Sequence, residues 1–163
     1  MKFINQKIGV FFWKLIVAFP INFQNVLANI LFFFLKNPNL KRNIFSRKNI
    51  DAAFPNLNMQ EKSNLFNKNL KSMIHGLFDT GKAWFWNDSK INSLIKYEIF
   101  GLNKLFATKG NLLIFKHSHH LELDSRILGM HCELYGVERV HNSSFMQKAV
   151  SYTHLTLPTI TEV

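Results

Sequence analysis

The sequence predicts an α/β protein in three parts: an N-terminal membrane-associated helix, a long helical segment, and the start of an α/β core. Three observations predict this. A nearly charge-free apolar stretch opens the chain. Apolar residues then recur at helical spacing over about thirty positions. Finally, short apolar runs alternate with a helical pattern, as in a β–loop–α–β unit. The domain reading is 1–36 for the membrane-associated segment, 37–148 for the domain proper, and 149–163 for a non-native tail. At 163 residues, 47% of them hydrophobic and 17 of them Phe, the chain has the makings of a packed core and is not a disordered composition.

The first part rests on hydropathy. Ile8 to Leu35 is largely apolar, and Leu15 to Leu35 carries no charge. That length is enough to span a bilayer. It is too long for a signal peptide and lacks a small-residue cleavage site. Pro20 interrupts it, however. Beyond Pro20, Asn22, Asn25 and Asn29 fall on one helical face, and Phe23, Val26, Leu27, Ile30, Leu31 and Phe34 fall on the other. A completed span, an interfacial helix and a helix packed on the domain all remain open.

Charge points to an anionic partner. The formal net charge is +10. Up to Leu57 there are eight basic residues (Lys2, Lys7, Lys14, Lys36, Lys41, Arg42, Arg47 and Lys48) against the single acidic Asp51. Basic residues beside apolar segments suit anionic headgroups better than a duplex, so a membrane is expected and a nucleic acid is not. The positive-inside bias puts the rest of the chain on the cytoplasmic face. Cys132 stands alone, so no internal disulfide is possible, and a small buried apolar role suits it.

The second part opens on Asn58-Met-Gln-Glu61, a capping-box variant. Phe66, Leu70, Met73, Ile74, Leu77, Phe78, Trp84 and Phe85 follow at helical spacing, predicting one helix from about Met59 to Trp86. A short helix near Lys90–Lys96 should be capped by Asp88 or Ser89. Met73 and His75 read as packing or surface residues.

In the third part the period changes. Tyr97–Phe100 reads as a strand, and Leu102–Lys109 as a helical turn stopped by Gly110. Asn111–Phe115 reads as a buried strand, Leu121–Leu134 as a helix and Val137–Val140 as a strand. His117 then lies just past a strand end, where open α/β sheets place their chemistry.

That position carries the stretch His117-Ser-His-His-Leu-Glu122-Leu-Asp-Ser-Arg126. A histidine with a carboxylate five positions on suits a general base held by an acid, able to deprotonate a hydroxyl for acyl transfer. Two such pairs occur, His117/Glu122 and His119/Asp124, where chance alone would give fewer than one. Arg126 can bind an anionic headgroup or make a surface salt bridge with Glu122 or Asp124. The His-x-His-His run with His131 or Cys132 offers zinc-type donors, but no second cluster stands at a recognised spacing. No metal and no cofactor are expected.

Four blocks in order carry a family resemblance: Arg47-Lys-Asn-Ile-Asp-Ala-Ala-Phe54-Pro55, Gly76-Leu-Phe-Asp-Thr-Gly-Lys-Ala-Trp-Phe-Trp86, Phe100-Gly101-Leu-Asn-Lys-Leu, and His117 to Arg126. Together they resemble the lipid A biosynthesis secondary acyltransferases of lauroyl/myristoyl type. The Thr80–Trp86 block is closest to the lauroyl enzymes, and the resemblance runs to about Gln147. It implies a glycerolipid-acyltransferase-like core and an enzyme of the Gram-negative inner membrane, facing the cytoplasm. It implies acyl–acyl carrier protein as donor and Kdo2-lipid IVA, an anionic glycolipid, as acceptor. The family's His-x4-Glu motif falls on His117 and Glu122 as catalytic residues, with Arg126, Arg139 and Asn142 binding substrate. Where relatives usually carry Tyr-Arg-Pro, this chain has Glu138-Arg139-Val140. Relatives also have a further C-terminal half that completes the sheet and the acceptor pocket. On that comparison the chain is expected to be the truncated N-terminal half, unstable and inactive by itself.

The segment Ala149-Val-Ser-Tyr-Thr-His-Leu-Thr-Leu-Pro-Thr159 breaks the pattern. It can be back-translated into a sequencing-library transposase adapter, so it is expected to be non-native. Two other functional readings remain at this stage. One is a different membrane glycerolipid or glycolipid O-acyltransferase. The other is a non-catalytic, membrane-anchored basic binding module.

Overall fold

A computed structural model describes residues 2–107, 110–138 and 159–161, and helices dominate them. They are α1 (Lys2–Ala18), α2 (Ile21–Leu35), α3 (Lys41–Ala53), α4 (Met59–Phe85), α5 (Asp88–Leu94), α6 (Leu102–Ala107) and α7 (Leu121–Gly129). The chain divides into two compact units, one of Leu15–Phe78 and one of Met1–Lys14 with Asp79–Val163.

In the Leu15–Phe78 unit, Pro20 ends the first apolar helix, because its ring cannot continue the hydrogen-bond ladder. The joint is braced from inside. Gln24, 2% exposed, donates from Nε2 to the Val17 carbonyl at 3.1 Å and the Phe19 carbonyl at 2.8 Å. Asn43 does the same at the next joint, donating from Nδ2 to the Leu35 and Asn37 carbonyls at 2.6 and 2.7 Å. Each buried amide satisfies carbonyls that a helix end leaves unpaired. Phe66, Leu70, Ile74 and Phe78, four apart on α4, are buried together with Val17 and Ala28. The Arg47 guanidinium lies over the Phe66 ring at 4.1 Å, and Lys71 over Phe32 at 4.9 Å, so cations as well as apolar stems cover this core.

The expected capping box forms in full. The Asn58 amide donates to Glu61 Oε2 at 2.8 Å, and the Glu61 amide donates to Asn58 Oδ1 at 2.9 Å. Asn58→Ala should therefore cost about 1 kcal/mol. It should appear as a lower urea midpoint with an unchanged slope; an unchanged midpoint would show the cap to be dispensable. At α5 the cap is Asn87, whose side chain accepts from the Lys90 amide; Asp88 falls inside the helix instead. Gly110 sits at φ 73°, the left-handed conformation predicted for it.

The α/β expectation is overturned. Tyr97–Phe100 and Asn111–Phe115 carry no regular structure, and the helix expected to Leu134 ends at Gly129. Strand structure among the described residues is confined to β1 (Gly136–Glu138) and β2 (Thr159–Thr161), paired in parallel with Val137 opposite Ile160. Two three-residue strands do not organise a layered core. The physical reason lies in what makes a strand. An apolar run becomes one only when a neighbouring strand takes up its amides and carbonyls. Asn111–Phe115 meets no such neighbour among the described residues, and Leu112 and Ile114 are left 89% and 91% exposed.

The spanning helix is corrected too. No described helix is long and apolar enough to cross a membrane. Pro20 divides the apolar stretch into helices of 17 and 15 residues, and a span needs about 20. Residues 149–158 and 162–163 of the tail lie outside the described residues.

Candidate active site

Of the polar residues singled out in the sequence, Glu122, Asp124 and Arg126 lie on α7, and His117, His119 and His120 lead into it. Leu123 and Ile127 are buried, which seats the inner face of this helix, and Ala83, Trp86 and Ile91 of the same unit are buried too. Trp13 stacks near Trp84 and Phe85, with ring centroids 5.2 and 6.0 Å apart.

Three polar contacts then run in step along the end of α4, the start of α5, and α7. His120 Nδ1 lies 2.6 Å from Asp79 Oδ2. Trp84 Nε1 donates to Glu122 Oε2 at 3.3 Å. Arg126 Nη2 donates to Asp88 Oδ1 at 2.5 Å. Positions 79, 84 and 88 thus meet 120, 122 and 126 in the same order. Two of the four sequence blocks that carry the resemblance are brought side by side. Asp79 also holds Lys82 Nζ at 2.7 Å, and both side chains are largely buried (15% and 10% exposed). That pair is desolvated, so each charge depends on the other.

Glu122 and Asp124 lie in the first turn of α7, where the helix dipole favours negative charge. Glu122 is half-buried against Trp84, while Asp124 is exposed. His117 is exposed in the irregular segment before α7, and among the described residues no hydrogen bond joins it to Glu122. His119 is exposed as well. Arg126 finds its carboxylate in Asp88, not in Glu122 or Asp124. Arg139 and Asn142 lie outside the described residues. Cys132 is half-buried, its Sγ 3.5 Å from the Leu128 carbonyl, and burial pushes its thiol pKa up. A raised pKa keeps it in the unreactive thiol form.

Asp79 and Trp84 escaped the sequence reading as site residues, and His120 stood in it only as a loop and substrate-contact residue beside His119. Asp79 and His120 stand 41 positions apart, and no spacing rule links them. Asp79 and Trp84 do stand inside the Gly76–Trp86 block, and His120 inside the His117–Arg126 block, which was the available signal.

The family model for bacterial lipid A biosynthesis acyltransferases matches residues 2–153. The chain belongs to that family. A lipid A biosynthesis acyltransferase of Haemophilus influenzae is 31% identical over 145 residues, covering 85% of this chain and 45% of the relative. The lipid A biosynthesis palmitoleoyltransferase of Escherichia coli is 30% identical over 111 residues, covering 66% and 36%. The lauroyltransferase of the same organism is 33% identical over 100 residues, covering 59% and 32%. The chain therefore spans between about a third and just under half of these lipid A acyltransferases. No solved structure matches it. All four blocks, and the α4–α7 contacts, fall within the residues matched by the family.

Proposed function

We propose that this chain is part of an acyltransferase that moves a fatty acyl chain from acyl–acyl carrier protein to a hydroxyl of Kdo2-lipid IVA, at the cytoplasmic face of the inner membrane. Residues 37–148 are its N-terminal catalytic portion, and 149–163 a non-native tail. The observation that carries the reading is the family match over residues 2–153, inside which His117 precedes α7 and Glu122 stands in its first turn.

The chemistry follows from the residue types. A lipid hydroxyl is a weak nucleophile at neutral pH. His117 takes its proton as the oxygen attacks the thioester carbonyl. The new C–O bond forms, the C–S bond breaks, and the thiolate leaves with the proton returned from the imidazolium. Glu122 steadies that imidazolium, a role for which its partly buried carboxylate is suited. His117 lies in an irregular segment, and such contacts commonly tighten only when substrate binds. Arg126, Arg139 and Asn142 contact the anionic acceptor.

Membrane attachment is assigned to the outer face of α2. Phe23, Val26, Ile30, Phe33 and Phe34 are all exposed there, while the polar Gln24 is buried. Lys36, Lys41, Arg42 and Lys48 follow directly. An exposed apolar stripe beside a cationic cluster suits an in-plane helix on an anionic bilayer.

The test is an acyl-transfer assay on the full native-length protein. Acyl–acyl carrier protein is supplied with either Kdo2-lipid IVA or glycerol 3-phosphate as acceptor. Product from the first alone is expected. Product only from the second would move the protein to the glycerolipid acyltransferases, and none from either would leave the binding-module reading.

A further inference from the structure

We propose that Asp79 and His120 form a positioning pair that holds the segment 117–120 and the first turn of α7 in working register. The inference rests on the reading of His117 as the base and Glu122 as its partner.

His120 occupies the N-cap position of α7, yet its side chain makes no cap hydrogen bond. The ring turns away and meets Asp79 Oδ2 at 2.6 Å. The carboxylate that receives it is only 15% exposed and is fixed from the other side by Lys82 at 2.7 Å. An acceptor so anchored has little freedom to follow the loop, so the loop must follow it. His120 stands three residues after His117 and two before Glu122. Immobilising this one backbone position therefore constrains the approach of both. The contact also supplies what His117 lacks: its exposed irregular segment contains no helix or strand, and Leu112, Ile114 and Phe115 before it are themselves exposed. The Trp84–Glu122 contact fixes the same turn from a second point, so His120 and Glu122 are both referred to α4.

A positioning role predicts a particular pattern of loss. Displacing a catalytic group by about an ångström can cost on the order of 100-fold in rate without weakening substrate binding. In the full native-length protein, His120→Ala is expected to lower kcat by about 10- to 100-fold, with KM for donor and acceptor held within about threefold. His120→Gln should restore most of the rate, because its amide can still donate to Asp79. Asp79→Ala should resemble His120→Ala, and the double variant should be no worse than the poorer single one. Asp79 variants also strand the buried Lys82, so the His120 pair decides the matter if they fail to fold. Backbone amides of residues 118–124 should exchange faster in His120→Ala and return to normal in His120→Gln.

Unchanged kcat in a folded His120→Ala protein would overturn the proposal. So would a His120→Gln variant as inactive as the alanine one, since His120 would then exchange protons itself. A His117→Ala protein with full turnover would sink the base assignment alone. The exchange pattern across 118–124 would still report whether the pair fixes the loop.

Discussion

His117→Ala in the full native-length protein is expected to lower kcat by about 10²- to 10⁴-fold, the range a positioned general base supplies. The fold should not suffer. The side chain is exposed and, among the described residues, makes no hydrogen bond to Glu122, so the stability change should stay within about 0.5 kcal/mol. That separation makes the variant informative: a large kinetic effect with an unchanged melting temperature is chemistry, not unfolding. Glu122→Gln complements it. The amide oxygen can still accept from Trp84 Nε1, so packing is kept while the charge that would steady the imidazolium is lost. Trp84→Phe does the reverse, removing the donor and keeping the carboxylate. If Glu122 acts through its charge, the glutamine variant loses much more rate than the phenylalanine one. Equal losses would mean that Glu122 serves only as an anchor for the head of α7. A His117→Ala protein that turns over normally would remove the base from the mechanism altogether.

The parts of this fold that are local were legible in the sequence. The capping box at Asn58 and Glu61, the stripe of Phe66, Leu70, Ile74 and Phe78, and the left-handed Gly110 each depend on a few neighbouring residues, and each is present in the structure. What failed was the part that depends on partners. Asn111–Phe115 has a strand's composition, but among the described residues it has no strand beside it, and Leu112 and Ile114 lie exposed. The same limit applies to the site. The sequence placed His117, Glu122 and Arg126 close together because they share one stretch of chain. It could not see that Asp79 meets His120 or that Asp88 meets Arg126, because those contacts are made by packing α7 along α4 and α5. The N-terminal helices show a third kind of limit. Hydropathy marks a segment as apolar but does not say whether water, protein or lipid covers it, and here the polar Gln24 is buried while Phe33 and Phe34 are exposed.

That inversion leads to the second large effect. Phe33 and Phe34 are 65% and 68% exposed, more than the other aromatic rings of α2, and the Lys36 ammonium lies 4.9 Å from the Phe33 ring. A lysine in that place can lay its stem over the ring and carry its charge to the headgroups. Full burial of a Phe side chain stabilises by about 1.5–3 kcal/mol, and an interfacial helix buries its rings only partly. Replacing both by Ala should then remove about 2 kcal/mol, roughly a 30-fold weaker association with phosphatidylglycerol vesicles. The basic cluster contributes separately, at about 1 kcal/mol for each residue near an anionic surface. Vesicles of phosphatidylcholine alone should bind the wild-type protein less tightly, and raised salt should erode the difference, because screening acts on the charges and not on the rings. The two variables can therefore be told apart: Phe33→Ala/Phe34→Ala lowers binding at every salt concentration, while Lys41→Gln/Arg42→Gln lowers it only at low salt. Binding that survives the double Phe substitution unchanged would mean that the outer face of α2 does not enter the bilayer, and that attachment lies elsewhere in the protein.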